Sequence, residues 1–292
     1  MRLKDIFKDI KKDKKVIIAG CEKFSEIDAA IKGKEEGLFE PILVGNPEKI
    51  KDKFKGIEVI PSFTPEDAVR ISCEFLRDGK GDVLMKGSVP TSTFLKGVLN
   101  KENKLFDKGI LSHLAILDIP GYHKILMITD GGMCIRPDLN TKKEILKNAI
   151  NFARNIGIER PKVGILAAIE VTNPDMIETI DAACLSKMGE RGEFGDAIVE
   201  GPVAMDIILS KEAGEMKGLN LNIAGDTDII LVPDIVSGNS VAKSLIYLAG
   251  ADAAGIILGT KKPVVMLSRA DTMGIKLNSI LLGIFYSEKC SS

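Results

Sequence analysis

The chain has 292 residues, enough for two domains of roughly 150 residues each. Its 40 Lys and Arg against 41 Asp and Glu leave a formal net charge of −1, which excludes a bulk field for nucleic acid or an anionic membrane; any anion must be caught locally. The longest apolar runs, "AAGIILG" and "PVVML", fall far short of the ~20 residues of a spanning helix, and the cysteines lie tens of residues apart with no CxxC, which fits the reduced thiols of a soluble cytoplasmic protein rather than a disulfide scaffold or a zinc site.

The N-terminal "MRLKDIFKDIKKDKK" alternates charges without the apolar core of a signal peptide, and it reads as a solvated amphipathic helix. Short β-branched runs then alternate with helical patterns, the signature of an α/β protein with mainly parallel sheets flanked by helices. Strands are predicted over residues 15–20, 39–45, 57–61, 82–87, 114–119 and 124–130. Thr64-Pro65-Glu66 combines a cap, a proline at the first helical position and an acid in the first turn, starting a helix that runs to about Arg77. The paired glycines and the proline of "GGMCIRPDLN", Gly131 to Asn140, mark a domain boundary. "TKKE" at Thr141 to Glu144 is a capping box for a helix to about Asn155, and Asn173-Pro174-Asp175 starts another to about Met188. Further strands follow at 162–168, 196–201, 228–234, 254–259 and 263–268, then a last helix over about 271–286 whose apolar spacing suits the first sheet. The expected division is residues 1–135 with 260–292 in a discontinuous first domain, and 136–259 in a second.

Four strand ends could carry chemistry. In "VPDIVSGNSVAKS", Val232 to Ser244, Gly238 lets the backbone approach closely, Asn239 can cap or donate, and Lys243 can reach a phosphate at a helix opening on this turn; an ordinary capped helix with a solvated lysine is the alternative. In "VVMLSRADT", Ser268 and Arg269 follow a buried strand, where a guanidinium fits phosphate in two-pronged fashion, or Ser268 caps and Arg269 pairs with Asp271. In "DVLMKGSVPTSTFLKG", Lys86 and Gly87 end a strand and "SVPTST" opens a helix, clustering hydroxyls and free amides beside a positive charge; an ordinary strand-to-helix turn is the alternative. In "MITDGGM" the paired glycines admit a substrate or hinge the domains. His113 and His123 lack metal or triad spacing, and Asp226, Asp228 and Asp234 read as capping and solvated acids before they read as a magnesium cluster. No P-loop, nucleophile elbow or GxGxxG is present.

The segments "MKGSVPTSTFLKGVLNKE", "MITDGGMCIRPDLNTKKEILKNA", "AAIEVTNPDMIETIDAACLSKM", "EGPVAMDIILS", "AGDTDIILVPDIVSGNSVAKSLIYLAGADAAGIILG" and "KPVVMLSRADT" occur in this order, and the chain over about Asp82 to Tyr286 resembles the phosphate acetyl/butyryltransferase family, nearer the butyryltransferases. The resemblance implies a two-domain fold related to the isocitrate and isopropylmalate dehydrogenases, an active site in the interdomain cleft, and a homo-oligomer built on a dimer. The implied reaction is acyl-CoA plus orthophosphate giving acyl phosphate plus CoA, with coenzyme A as substrate and no cofactor or metal. By the family motif Arg269 would hold phosphate and Ser268 would hydrogen-bond the transition state. Lys86, Gly87, Thr91, Gly238, Asn239 and Lys243 would bind phosphate or CoA. The aspartate that serves the acetyltransferases as proton acceptor is matched here by Ile275, so Asp271 is a substitute on spacing alone. Rival expectations are a phosphate acetyltransferase, a metal- and NAD-dependent decarboxylating dehydrogenase, and a non-catalytic acyl-CoA-binding protein.

Overall fold

The structure is a computed structural model that describes residues 1–8, 10–21, 24–50, 56–266, 268 and 270–290. In chain order the elements begin α1 (Leu3–Ile6), β1 (Lys15–Ala19), α2 (Phe24–Glu35), β2 (Glu40–Gly45), α3 (Pro47–Ile50), β3 (Glu58–Pro61), α4 (Pro65–Arg77), β4 (Val83–Lys86) and α5 (Thr91–Leu99). There follow β5 (Ser112–Asp118), β6 (Leu126–Thr129), α6 (Leu139–Asn155), β7 (Lys162–Leu166), α7 (Ile177–Glu190), β8 (Ile198–Val203), α8 (Met205–Leu209) and α9 (Lys211–Met216). The chain ends with β9 (Ile229–Leu231), α10 (Ile235–Tyr247), β10 (Asp252–Leu258), β11 (Val264–Met266) and α11 (Met273–Cys290). Each strand expected from an apolar run forms, and the α/β class holds.

Two compact units result: unit 1 is Met1–Leu3 with Ile110–Asp252, and unit 2 is Lys4–Gly109 with Ala253–Ser292. The chain changes unit where strand pairing dictates: β5 and β6 join β9 through β6, whereas β10 pairs with β11. The bound read from the glycines, at 135/136, falls one hairpin further along, and the return placed at 259/260 from the spacing of the last helix falls one strand further along.

Unit 2 orders its strands β3-β2-β1-β4-β11-β10, parallel except for β10 against β11. A parallel sheet is covered on both faces, so its strands are apolar on both sides; this is why "VIIA" and "VLM" carry no alternation. On one face Val16, Ile18, Leu43, Val83, Met85 and Val265 pack with Ile27 of α2 and Ile280 and Ile284 of α11, all of them buried. Each such aliphatic side chain contributes about 1.5–3 kcal/mol. The last helix therefore covers this sheet as its spacing foretold. Unit 1 orders its strands β5-β6-β9-β7-β8, parallel except for β5 against β6, with Ile145, Leu146, Ala149, Phe152 and Ala153 of α6 buried.

Three helix starts and one helix end depart from expectation. The N-terminal helix stops at Ile6, although Phe7 and Ile10 beyond it still pack against the core of unit 2. Helix α6 begins two residues before the capping box, since the Asp138 carboxylate accepts from Thr141 N at 2.8 Å and takes over the cap. Asn173 is held in a local turn, its Oδ1 accepting from Asp175 N at 2.9 Å, which delays α7 to Ile177. Helix α10 opens at Ile235 rather than at the Gly-Asn pair, because Asp234 accepts from Ser237 N at 2.8 Å and from its Oγ at 2.9 Å.

Candidate active site

In unit 2 the candidates meet at the carboxyl edge of β1, β4 and β11. Register places Ala19 and Met266 on either side of Lys86, so the segments after all three strands emerge together, at the edge where parallel α/β sheets hold ligands. Gly87 N donates to Ala19 O at 2.9 Å and Ser88 N to Gly20 O at 2.7 Å. A Cβ on Gly87 would lie 1.9 Å from Gly20 O, so no side chain fits here. The Lys86 ammonium turns onto its own loop, donating to Gly87 O at 3.1 Å and Val89 O at 3.3 Å, which keeps positive charge beside the turn. Helix α5 then starts at Thr91 behind Pro90, which supplies no side-chain cap; the exposed hydroxyls of Thr91 and Ser92 flank a helix start whose dipole favours an anion.

Beyond β11, exposed Ser268 donates its amide to Asp271 Oδ2 at 2.8 Å, while Asp271 N donates to Ser268 O at 3.2 Å and Ala270 N to Ser268 Oγ at 3.4 Å. This closes a tight turn, and Asp271 is a turn-forming carboxylate with one oxygen engaged. Arg269 lies outside the described residues.

The unit 1 candidates sit where β6 and β9 end. The Asp130 carboxylate, 2% exposed, accepts four backbone amides: His113 and Cys134 on Oδ2 at 3.0 and 3.3 Å, Gly132 and Met133 on Oδ1, both at 2.8 Å. The turn after β6 is thereby folded back and pressed against α10. A Cβ on Gly238 would be 2.7 Å from Gly131 Cα and 2.7 Å from a Val232 methyl, and one on Gly131 would be 2.8 Å from the Gly238 carbonyl carbon. Gly238 is thus a mid-helix close-contact residue. Its amide bonds Asp234 O at 3.1 Å, so it is not the free anion-binding amide expected of a helix start, and the Asp234 carboxylate already occupies the cap. Asn239 is exposed and donates Nδ2 to Gly131 O at 3.3 Å; Lys243, a turn further on, is half-buried. Of the two helix starts singled out in the sequence, the one after Pro90 is therefore the better anion site.

Burial first, then the Asp130 charge, push the Cys134 thiol up to about 12, so it stays protonated and is no nucleophile. The acids Asp226 and Asp228 hold lysines rather than a metal. Lys124 bridges both at 2.7 and 2.6 Å, Lys162 reaches Asp226 at 2.6 Å, and His123 Nε2 meets Asp226 Oδ1 at 2.9 Å. Partial burial works against ionising Asp226, but these partners prevail and hold it well below the usual carboxylate range.

The roles of Asp130 and of a buried Lys142–Asp181 pair, 2.7 Å apart, escaped the sequence reading. An aspartate before two glycines was the only available sign of the first; the second joins two helices and leaves no local pattern.

The family model described as "Phosphate acetyl/butaryl transferase" matches residues 62–284, and the chain belongs to that family. A "Probable phosphate butyryltransferase" of Bacillus subtilis is 39% identical and covers 99% of each chain, and a "Phosphate acetyltransferase" of Rhizobium meliloti is 36% identical over 94% of this chain and 89% of its own. Among solved structures, a branched-chain phosphotransacylase from Enterococcus faecalis V583 aligns with a TM-score of 0.86 at 31% identity, covering 94% of this chain and 99% of the other. A putative 4-hydroxythreonine-4-phosphate dehydrogenase from Salmonella typhimurium, at 11% identity and a TM-score of 0.59 over 94% and 99%, shares the fold alone.

Proposed function

We propose that the protein is a phosphate acyltransferase that converts a butyryl or other short or branched acyl-CoA and orthophosphate into acyl phosphate and CoA. The observation that carries this is the shared edge of β4 and β11, where Lys86, Gly87, the uncapped start of α5 and Ser268 stand together in a chain of this family. Phosphate oxygen attacks the thioester carbonyl directly; the carbon–sulfur bond breaks and CoA leaves as thiolate or thiol. No covalent nucleophile is needed, in keeping with a Cys134 held as thiol. What the reaction needs is charge for the phosphate and the tetrahedral oxyanion. Arg269 binds phosphate, and Ser268 hydrogen-bonds the oxyanion. Lys86, Gly87 and Thr91 line the anion site, while Gly238 shapes, and Asn239 and Lys243 make, further contacts with the acyl-CoA. Asp271, with one oxygen engaged by Ser268 N, uses the other to pass the proton that phosphate releases to the departing CoA sulfur, and to take the thiol proton in the reverse direction. Coenzyme A enters as substrate, and no resident cofactor or metal takes part.

Exposed apolar residues on α10 and at its C-cap, Val236 at 69%, Tyr247 at 63% and Leu248 at 87%, support self-association into a dimer. Cysteines 21, 73, 134 and 184 form no disulfide, which favours a reducing, cytoplasmic setting, and among the described residues no helix is long and apolar enough to cross a membrane. The deciding experiment is release of CoA thiol from butyryl-CoA and acetyl-CoA, each with and without orthophosphate. Phosphate-dependent release, faster with butyryl-CoA, is the expected result. Faster release with acetyl-CoA assigns the acetyltransferase, and release that ignores phosphate refutes the reaction.

A further inference from the structure

Unit 2 buries a cation that the proposed reaction does not yet employ. Lys276, on α11, is 4% exposed, and burying an ammonium is costly enough that its charge must be put to use. Its place follows from the packing of α11. A Cβ on Gly283 would meet methyls of Val83 and Val265 at 2.8 and 3.0 Å, so this part of the helix lies over β4 and β11. About one turn earlier Ser279 Oγ accepts from Gly255 N at 2.9 Å, and Asn278 Nδ2 donates to Ala253 O at 3.3 Å. Ile257 pairs with Val264 in antiparallel register, which sets Gly255 opposite Met266, the last residue of β11 and the partner of Lys86. Ser279 is therefore level with the carboxyl ends of β4 and β11. Lys276, nearly a turn closer to the helix start, lies at the edge beyond them.

The helix also sets the direction of the side chain. Cα–Cβ bonds tilt toward a helix N-terminus, so a long side chain covers the turn before its own. For Lys276 that turn begins at Thr272, whose carbonyl accepts from Lys276 N at 3.1 Å. Thr272 is about 6 Å back along the axis, within reach of a four-carbon stem. It directly follows the turn that Ser268 and Asp271 close with each other. The first turn of α11 carries no acidic residue, so the helix start adds to the positive character of this edge.

Building on the phosphate acyltransferase reading, we infer that Lys276 is a further phosphate-binding residue, its ammonium forming the floor of the anion site at the edge of β4 and β11. Ser268 meets the anion from the turn above. Lys86, with its ammonium drawn onto Gly87 O and Val89 O, flanks it. A floor cation attracts phosphate before and during attack alike, so its loss falls on phosphate affinity more than on kcat.

The test compares Lys276→Met and Lys276→Gln, which remove the charge, with Lys276→Arg, which keeps it. Circular dichroism and a thermal midpoint check the fold. Phosphate-dependent thiol release from butyryl-CoA gives KM for each substrate. Loss of a charge-assisted hydrogen bond predicts a phosphate KM raised roughly ten- to a hundred-fold in a folded neutral variant, with KM for butyryl-CoA within about two-fold of the wild type and most of the loss recovered in Lys276→Arg. A lowered thermal midpoint with phosphate KM unchanged makes the lysine a structural brace and overturns the inference, while wild-type release leaves the proposed reaction standing. A rise shared equally by both substrates, or a folded Lys276→Arg as impaired as Lys276→Met, overturns it too. Calorimetry with orthophosphate alone needs no turnover. Binding to the wild type that weakens in Lys276→Met supports the site even if no thioester is cleaved, and binding equal in the two, or absent from the wild type, overturns it.

Discussion

Removing one member of the buried Lys142–Asp181 pair is expected to destabilise the protein more than removing both. The residues are 5% and 8% exposed, and Nζ stands 2.7 Å from Oδ2. At an effective dielectric of about 20, two unit charges at that separation attract by about 6 kcal/mol, while desolvation costs several kcal/mol per ion, so the intact pair nearly breaks even. Lys142→Met leaves the Asp181 carboxylate buried without its counter-ion and is expected to cost about 3–5 kcal/mol, as is Asp181→Leu through the stranded ammonium. The double variant restores a neutral interior and is expected within about 1 kcal/mol of the wild type, so the two single effects are strongly non-additive. Urea unfolding at pH 7 followed by circular dichroism reads this as a midpoint lowered by about 1–2 M in each single variant and nearly recovered in the double. Single variants costing under about 1 kcal/mol, or a double variant costing the sum of the singles, would refute the argument.

Gly238→Ala inserts a Cβ 2.7 Å from Gly131 Cα, so overpacking of about 1–3 kcal/mol is expected to outweigh the helix-propensity gain of up to ~1 kcal/mol, read as a lowered thermal midpoint and a raised KM for acyl-CoA; a stabilised variant contradicts the contact. Asp226→Asn tests the sign of the carboxylate shift. A depressed folded pKa stabilises above the unfolded value of about 3.9 and loses that contribution as pH falls through the folded pKa, so the wild type should lose more stability between pH 6 and pH 2 than the variant does. The difference should shrink in high salt, since the side chain is 42% exposed, and equal losses at low salt would count against it. Arg269→Ala is expected to lower kcat/KM by on the order of 10² to 10³ while leaving the fold intact, and near wild-type kinetics would remove it from the mechanism.

What could be read from the sequence follows from how local each signal is. Strands such as β1 and β4 are buried on both faces, so their identity is written in contiguous apolar residues, and each found its place. The start of α4 was equally legible because Thr64 and Pro65 act within one turn, and Thr64 Oγ1 indeed accepts from Asp67 N at 3.1 Å. Helix starts were misread where a neighbouring aspartate competed for the cap, as Asp138 does with Thr141 and Asp234 with the Gly-Asn pair; either choice satisfies the same rule, and packing selects between them. Gly238 shows the limit more sharply. Its reason for being glycine is the backbone of Gly131, held in place by a carboxylate that binds four amides, and neither partner is near it in sequence. The same reasoning separates two kinds of candidate residue. Those at a strand end, such as Lys86 and Ser268, inherit their position from the register of one sheet and so travel as short motifs. The wall of the unit 1 depression is drawn from the ends of three strands, and charged groups on it come from α7 and from Lys217 just past α9, so it exists only once β7, β8 and β9 are paired. Position at a strand end is therefore a motif property in this chain, whereas the make-up of the unit 1 depression is a property of the assembled sheet edge.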